Sequence, residues 1–297
     1  MVGNGQRVAL RSGLWGSVAG PLLSGCAFRH GFLNAAGPVA LAERHLSGEV
    51  VGLMLLVVAP VFLLGPWVIW HYRRGRKASA YRPYWSFAWP LEIAAWGVPL
   101  LIVGILGVRV WEATRTLDPY RPVAGAGPAL RIQVVGFDWK WLFIYPRQHI
   151  ATVNVLTVPA GRPVHLFLTS HSVLLSLLSP RLVGQIYAMP GMVTQLNFKA
   201  DQPGRYLGEN TQYDGDGFSG QHFTTLVLGR GGFKRWAAGV QAQGRTLDAA
   251  AYASLLRQSA VKRPVYFASV PPHLFHSVVA GFRRGIPPPP KKRPSAS

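Results

Sequence analysis

The chain has 297 residues, 49% of them hydrophobic and only 14% charged, with 31 Lys and Arg against 11 Asp and Glu. So apolar a composition directs attention to membrane segments, and scattered arginines without an RNA- or DNA-binding module argue for anionic lipid or an acidic partner and against nucleic acid. The single cysteine, Cys26, excludes an intramolecular disulfide, a zinc ribbon, an iron–sulfur cluster and a blue-copper site, each of which needs more thiolates or one placed elsewhere.

At the amino terminus, Arg7 and Arg11 precede a short apolar stretch, Leu14 to Leu23. It is shorter than the roughly 20 residues of a spanning helix and has the shape of a cleaved secretory signal. Leu23-Ser24-Gly25-Cys26 resembles the bacterial lipobox, in which cleavage precedes the cysteine and its thiol is acylated. Residues 1–25 are therefore expected as a lipoprotein-type signal peptide, Cys26 as the lipidated residue, and residues 26–48 as a periplasmic segment. A lone buried cysteine in an ordinary signal is the alternative.

A transmembrane hairpin is expected over residues 49–112. Its first span is Val50 to Trp70, which at about 1.5 Å per residue matches a hydrocarbon core of roughly 30 Å. Pro60 and Pro66 predict kinks in it. Arg73, Arg74, Arg76, Lys77 and Arg82 follow, and the positive-inside rule places this loop in the cytoplasm. The second span is Trp89 to Trp111, with tryptophans for both interfaces. The topology is out–in–out, which an external lipidated start requires independently. Glu92 lies near the cytoplasmic start of the second span. A carboxyl at that depth faces protein or water, as a proton entry point or as a snorkelling interfacial group.

From Leu130 the pattern turns to strands. LRIQVVGFDWKWLFIYP is aromatic and β-branched, and Val164, Leu166 and Leu168 alternate against His165, Phe167 and Thr169. Turn signals every 8–12 residues predict a small antiparallel sandwich over residues 128–230. Residues 231–285 read as helical: an amphipathic FKRWAAGVQAQ, a helix over LDAAAYASLLRQ capped by Thr246, and another opened by Pro271 and Pro272 and ended by Gly285. The basic, proline-rich tail 286–297 cannot build a core.

YDGDGFSGQH, residues 213–222, has the look of a ligand loop. Asp214 and Asp216 faintly echo a calcium loop but lack its later ligands and terminal glutamate. Glycines that supply positive φ in a tight turn are the plainer reading. His273 and His276 are three apart without a third ligand.

The segments WPLEIAAWGVPLLI, GFDWKWLFIYP, IATVNVLTVPAG, SHSVLLSLLSPRLVGQIYAMPGM, GENTQYDGDGFSGQHF and PVYFASVPPHLFHSVVAGF together resemble subunit II of the haem–copper respiratory oxidases, closest in the quinol oxidase branch. The resemblance spans residues 23–285. It implies a two-helix transmembrane hairpin, an all-β periplasmic cupredoxin-like Greek-key sandwich and a short α-helical C-terminal extension, in a bacterial inner membrane. In the cytochrome c-oxidising relatives the loop carries two cysteines, a histidine and a methionine of a dinuclear copper centre, with a second histidine upstream. The matching positions here are Tyr213, Gly217, Gln221, Thr224 and, upstream, Leu175. His222 is one residue out of register and should point away, and His171 is likewise off the matching position. The resemblance thus implies a chain that binds no cofactor and carries no catalytic residue, with haem and copper in subunit I, quinol as substrate of the complex, and subunits III and IV as further partners. It matches Glu92 to a proton-entry glutamate, and Asp138, Trp139 and Trp141 to an aromatic segment with a packing role. A stand-alone membrane lipoprotein with a cupredoxin-like binding or scaffolding domain is the alternative from another class; it needs no carboxylate in its second span.

Overall fold

A computed structural model describes residues 31–73, 84, 86–261 and 263–283. The expected signal peptide, Cys26, most of the basic loop and the tail 286–297 lie outside the described residues.

Helix α1 (Pro38–His71) starts well before the expected span. Pro38 suits the first helical turn, where its missing N–H is no loss, and PVALAERHLSGE offers no breaker before the apolar run. The helix runs on through Pro60 and Pro66. Helix α2 (Trp89–Thr116) opens on Pro90 and passes Trp111 by more than a turn. Both are long and apolar enough to cross a membrane. The Arg109 Nε donates to Glu49 on α1 at 2.9 Å, and its Nη1 donates to Glu112 at 3.2 Å.

The sandwich is built from β1 (Leu130–Phe137), β2 (Lys140–Tyr145), β3 (Ile150–Val153), β4 (Val155–Pro159), β5 (Pro163–Ser170), β6 (Leu175–Ser179), β7 (Val183–Ala188), β8 (Thr194–Lys199), β9 (Gly204–Asn210) and β10 (His222–Leu228). The C-terminal region adds α3 (Gly232–Gln243), β11 (Arg245–Thr246), α4 (Ala249–Leu256), β12 (Val265–Ser269) and α5 (Leu274–Arg283). One sheet runs β11-β12-β3-β2-β1-β5-β8, the other β4-β10-β9-β6-β7. The expected antiparallel pairing holds for most of the sandwich and is corrected at two places: β1 runs parallel to β5, and β4 to β10. These pairs join strands that are distant in sequence, so they are closed by crossovers rather than hairpins.

Two apolar cores follow from one strand, β2. Trp141, Phe143 and Tyr145 face the inter-sheet core, with neighbours such as Ile132, Val134, Leu175 and Phe223. Leu142 and Ile144 face the opposite way, under Leu255, Phe267, Phe275 and Val279 of the C-terminal region. A strand covered on both faces has no polar side to alternate, which is why WLFIY, after Lys140, reads as an unbroken apolar run. The all-helical expectation for residues 231–285 is also corrected. PVYFASV, β-branched and aromatic, forms β12 and extends the large sheet by pairing with β3. Thr246 lies in β11, and the cap of α4 is Asp248, whose Oδ1 accepts from the Ala251 N–H at 2.7 Å.

Candidate functional site

Asp138 and Trp139 form the β1–β2 turn, and Leu175, Gly217 and Gln221 gather around it. Gly136 pairs with Trp141 and Phe137 with Lys140, so the turn is a two-residue one. Such turns need positive φ, and Trp139 supplies it at 67°, a conformation unusual for a bulky residue. Its indole is held by the 213–222 loop. A Cβ on Gly217 would fall 2.1 Å from the indole Cδ2, so the ring occupies the space a side chain there would need. The indole Nε1 donates to the Asp214 carbonyl at 3.4 Å.

Leu175 is fully buried and closes on Gly136, where an added Cβ would lie 2.4 Å from its Cδ1. Gln221 is also fully buried. Its Oε1 accepts from Asn210 Nδ2 at 2.9 Å, and its Nε2 donates to the Phe137 carbonyl at 3.4 Å. His222, one residue on, is exposed. Tyr213 is exposed and meets Phe218 edge-on, at a centroid distance of 5.7 Å. Thr224 sits farther along β10, in register with Leu207 and Val155, away from the turn. Asp214 points inward and Asp216 outward, so the two carboxylates do not converge on a cation. An aliphatic side chain, an amide already hydrogen-bonded and a glycine closed over by indole do not fit a thiolate-bridged copper pair. Among the described residues no three His, Cys, Asp or Glu side chains group as metal ligands.

The other side of the turn holds a polar network that the residue pattern does not reveal. The Asp138 carboxylate, buried, accepts from Ser172 Oγ at 2.5 Å and from Gln258 Nε2 at 2.9 Å. Lys140 is 1% exposed, and its ammonium donates to the Arg257 carbonyl at 2.6 Å and to Ser259 Oγ at 3.0 Å. Burial lowers its pKa to about 8; Asp138 opposes the shift and Arg257 adds to it. Burial likewise lowers the His171 pKa, with Asp138 opposing. A lysine inside the apolar FDWKWLF is the one available signal. Its partners lie more than a hundred residues away, where spacing cannot point.

Glu92 is in the first turn of α2, exposed on the same helix face as Trp89 and Trp96, one turn to either side. It is remote from the turn of Asp138 and Trp139. Trp141 is fully buried between the sheets.

Residues 147–220 match the family described as cytochrome c oxidase subunit II, periplasmic domain, and residues 241–285 match the COX aromatic rich motif. The ubiquinol oxidase subunit 2 of Acetobacter aceti is 40% identical over 284 residues, covering 94% of this chain and 90% of that protein. The chain belongs to the ubiquinol oxidase subunit 2 family. Another family member, the cytochrome bo(3) ubiquinol oxidase subunit 2 of Pseudomonas aeruginosa, is 40% identical across 88% of this chain and 78% of its own length. Among solved structures, the periplasmic domain of cytochrome oxidase subunit II from Bradyrhizobium japonicum aligns with 39% of this chain and 96% of its own, at 20% identity and a TM-score of 0.37. The first family match covers strands β3 to β9 of the sandwich, and the second runs from the end of α3 through the α4–β12–α5 layer that buries the outer face of β2.

Proposed function

We propose that this chain is the non-redox subunit II of a membrane-bound quinol oxidase, in which quinol oxidation is coupled to reduction of O2 to water and to proton translocation. The carrying observation is the turn of Trp139. In a family member that matches named quinol oxidase subunits along nearly its whole length, the indole fills the space above Gly217 and no thiol follows Cys26. Electrons from quinol, which arrives within the membrane, need no relay through this domain. Haem and copper then belong to subunit I, with subunits III and IV completing the complex.

On this reading the chain also braces subunit I, which draws support from how the hairpin meets the sandwich. Gly37 abuts the carbonyls of Leu182 and Lys199, and two turns along α1 Glu43 abuts Gly184 on β7. Helix α1 thus descends beside β7 in the direction of Ala188. That end of the sandwich carries exposed Leu174, Tyr187, Met192 and Val193, an apolar rim beside the Trp139 turn and suited to the outer surface of a membrane-embedded subunit. The chain is placed in the bacterial inner membrane, with Cys26 acylated and the sandwich in the periplasm. Glu92, presented outward between two exposed tryptophans, contributes to a proton-entry site at the boundary with subunit I.

Extraction from membranes through a tag on this chain tests the proposal. Haem should co-purify, quinol rather than cytochrome c should be oxidised, and the near-infrared absorption of a mixed-valence copper pair should be missing. Extraction without haem would favour a stand-alone lipoprotein.

A further inference from the structure

The C-terminal layer leaves one flank of α5 uncovered. Between that flank and the outer face of β1 and β5 runs a groove of about 670 Å³. Phe167, Phe275 and Val279 supply its apolar walls, and Arg131, Arg147 and His276 stand along it. A smaller recess of about 260 Å³ continues it past His276, adding His149 and His273. Among the described residues no carboxylate lines either hollow. The surrounding sequence has the same bias: no Asp or Glu follows Asp248, while eight Lys and Arg do. The packing against β1 and β2 explains why the groove persists, since α5 spends Phe275, Val278 and Val279 on the core and leaves the rest of the outer face to solvent.

From this groove we infer a docking site for an acidic protein segment, one that seats apolar side chains against Phe167 and Val279 and sets its carboxylates on Arg131 and Arg147. Arginine suits this task, because its planar fork takes a carboxylate in two parallel hydrogen bonds. Lipid fits less well. Arg131 is in register with His165, and His165 with Asn197, whose backbone and side-chain N–H groups both donate to the Pro119 carbonyl beyond the end of α2. Thr116 alone is about 10 Å outward of the Arg109–Glu49 pair at helical rise, so the cationic end of the groove stands clear of a bilayer that begins near that pair. Quinol turnover plays no part in the inference; it rests only on the hairpin spanning the membrane.

The test uses the full chain in the complex extracted through its tag. A benzoylphenylalanine replaces Phe167, with a control at Leu207, exposed on the other sheet. Irradiation should join the Phe167 position, and not the control, to a peptide carrying at least two Asp or Glu residues. In the R131E/R147E background, or at high ionic strength, that adduct should fall by about tenfold, as expected for a charge-steered contact. Should charge reversal prevent extraction of an intact chain, R131Q/R147Q makes the same comparison. Adducts with lipid, no adduct at all, or a peptide adduct indifferent to both charge changes would overturn the inference.

Discussion

At Glu92 a single carboxylate sits where an apolar helix offers it no partner among the described residues. If it delivers protons to a neighbouring subunit, Glu92→Gln should slow O2 reduction by about tenfold or more while haem content and assembly hold, since glutamine keeps the shape and loses the exchangeable proton. Oxygen uptake by the purified complex decides this, and wild-type turnover would make the residue interfacial. Lys140 gives a different test. Its folded pKa lies near 8, below that of an unfolded lysine. Below pH 8 both states hold the proton, and the folded state bears the full desolvation penalty. Between about 8 and 10.5 the unfolded state binds more protons, so stability should rise with pH across that window and level off above it. The rise should vanish in Lys140→Met, measured by thermal melts of the full chain in detergent at steps of pH. Below pH 8 the methionine should be near-neutral or mildly stabilising, because removal of a desolvated charge offsets the lost bonds to Arg257 and Ser259.

At the scale of elements, the C-terminal layer shows what sequence can and cannot disclose. Helix α4 is legible because AAAYASLL is made of strong helix formers, but local pattern points to Thr246 as its cap, two residues early. Both residues can cap; β11 takes Thr246 into the sheet, and that pairing is a tertiary fact. Asp248→Ala should therefore cost about 1 kcal/mol, and Thr246→Ala much less, in denaturant melts of the full chain. Strand β12 is hidden by its neighbours. PVYFASV is strand-like in composition, yet it stands between two helical segments and pairs with β3, more than a hundred residues back. The inner alternation of β5 is plain because one face of it stays partly open. In β2 alternation fails for the reason that makes the strand central, a core on each side. In the candidate site, the absence of thiols needs no structure, whereas the indole over Gly217 requires knowing that a tryptophan takes a left-handed turn.

For the whole molecule, the decisive contact is the joint between hairpin and sandwich. The two long helices leave most of their apolar surface exposed, and the sandwich has its own complete core. What relates them is the start of α1, where the Ala36 N–H donates to the Arg181 carbonyl at 2.7 Å and the Asp201 N–H donates to the Ala36 carbonyl at 3.0 Å. Gly37 lies between these bonds and α1, so close to the sheet that a Cβ would fall 2.4 Å from the Lys199 carbonyl oxygen and 3.2 Å from that of Leu182. Both obstacles are backbone, which cannot swing aside as a side chain can. A side chain at residue 37 must therefore push α1 off the end of the sandwich, and Val, branched at Cβ, must push farther than Ala. Gly37→Val should leave the sandwich folded, because the start of α1 adds only Ala36 and Val39 to a core built from the strands themselves. It should loosen the domain on its hairpin, so that the 117–128 segment is cut several-fold faster by added protease and less haem is recovered through the tag. Gly37→Ala should fall between. Equal cleavage and equal haem recovery in all three forms would show that the partner subunit, and not this joint, sets the angle of the domain.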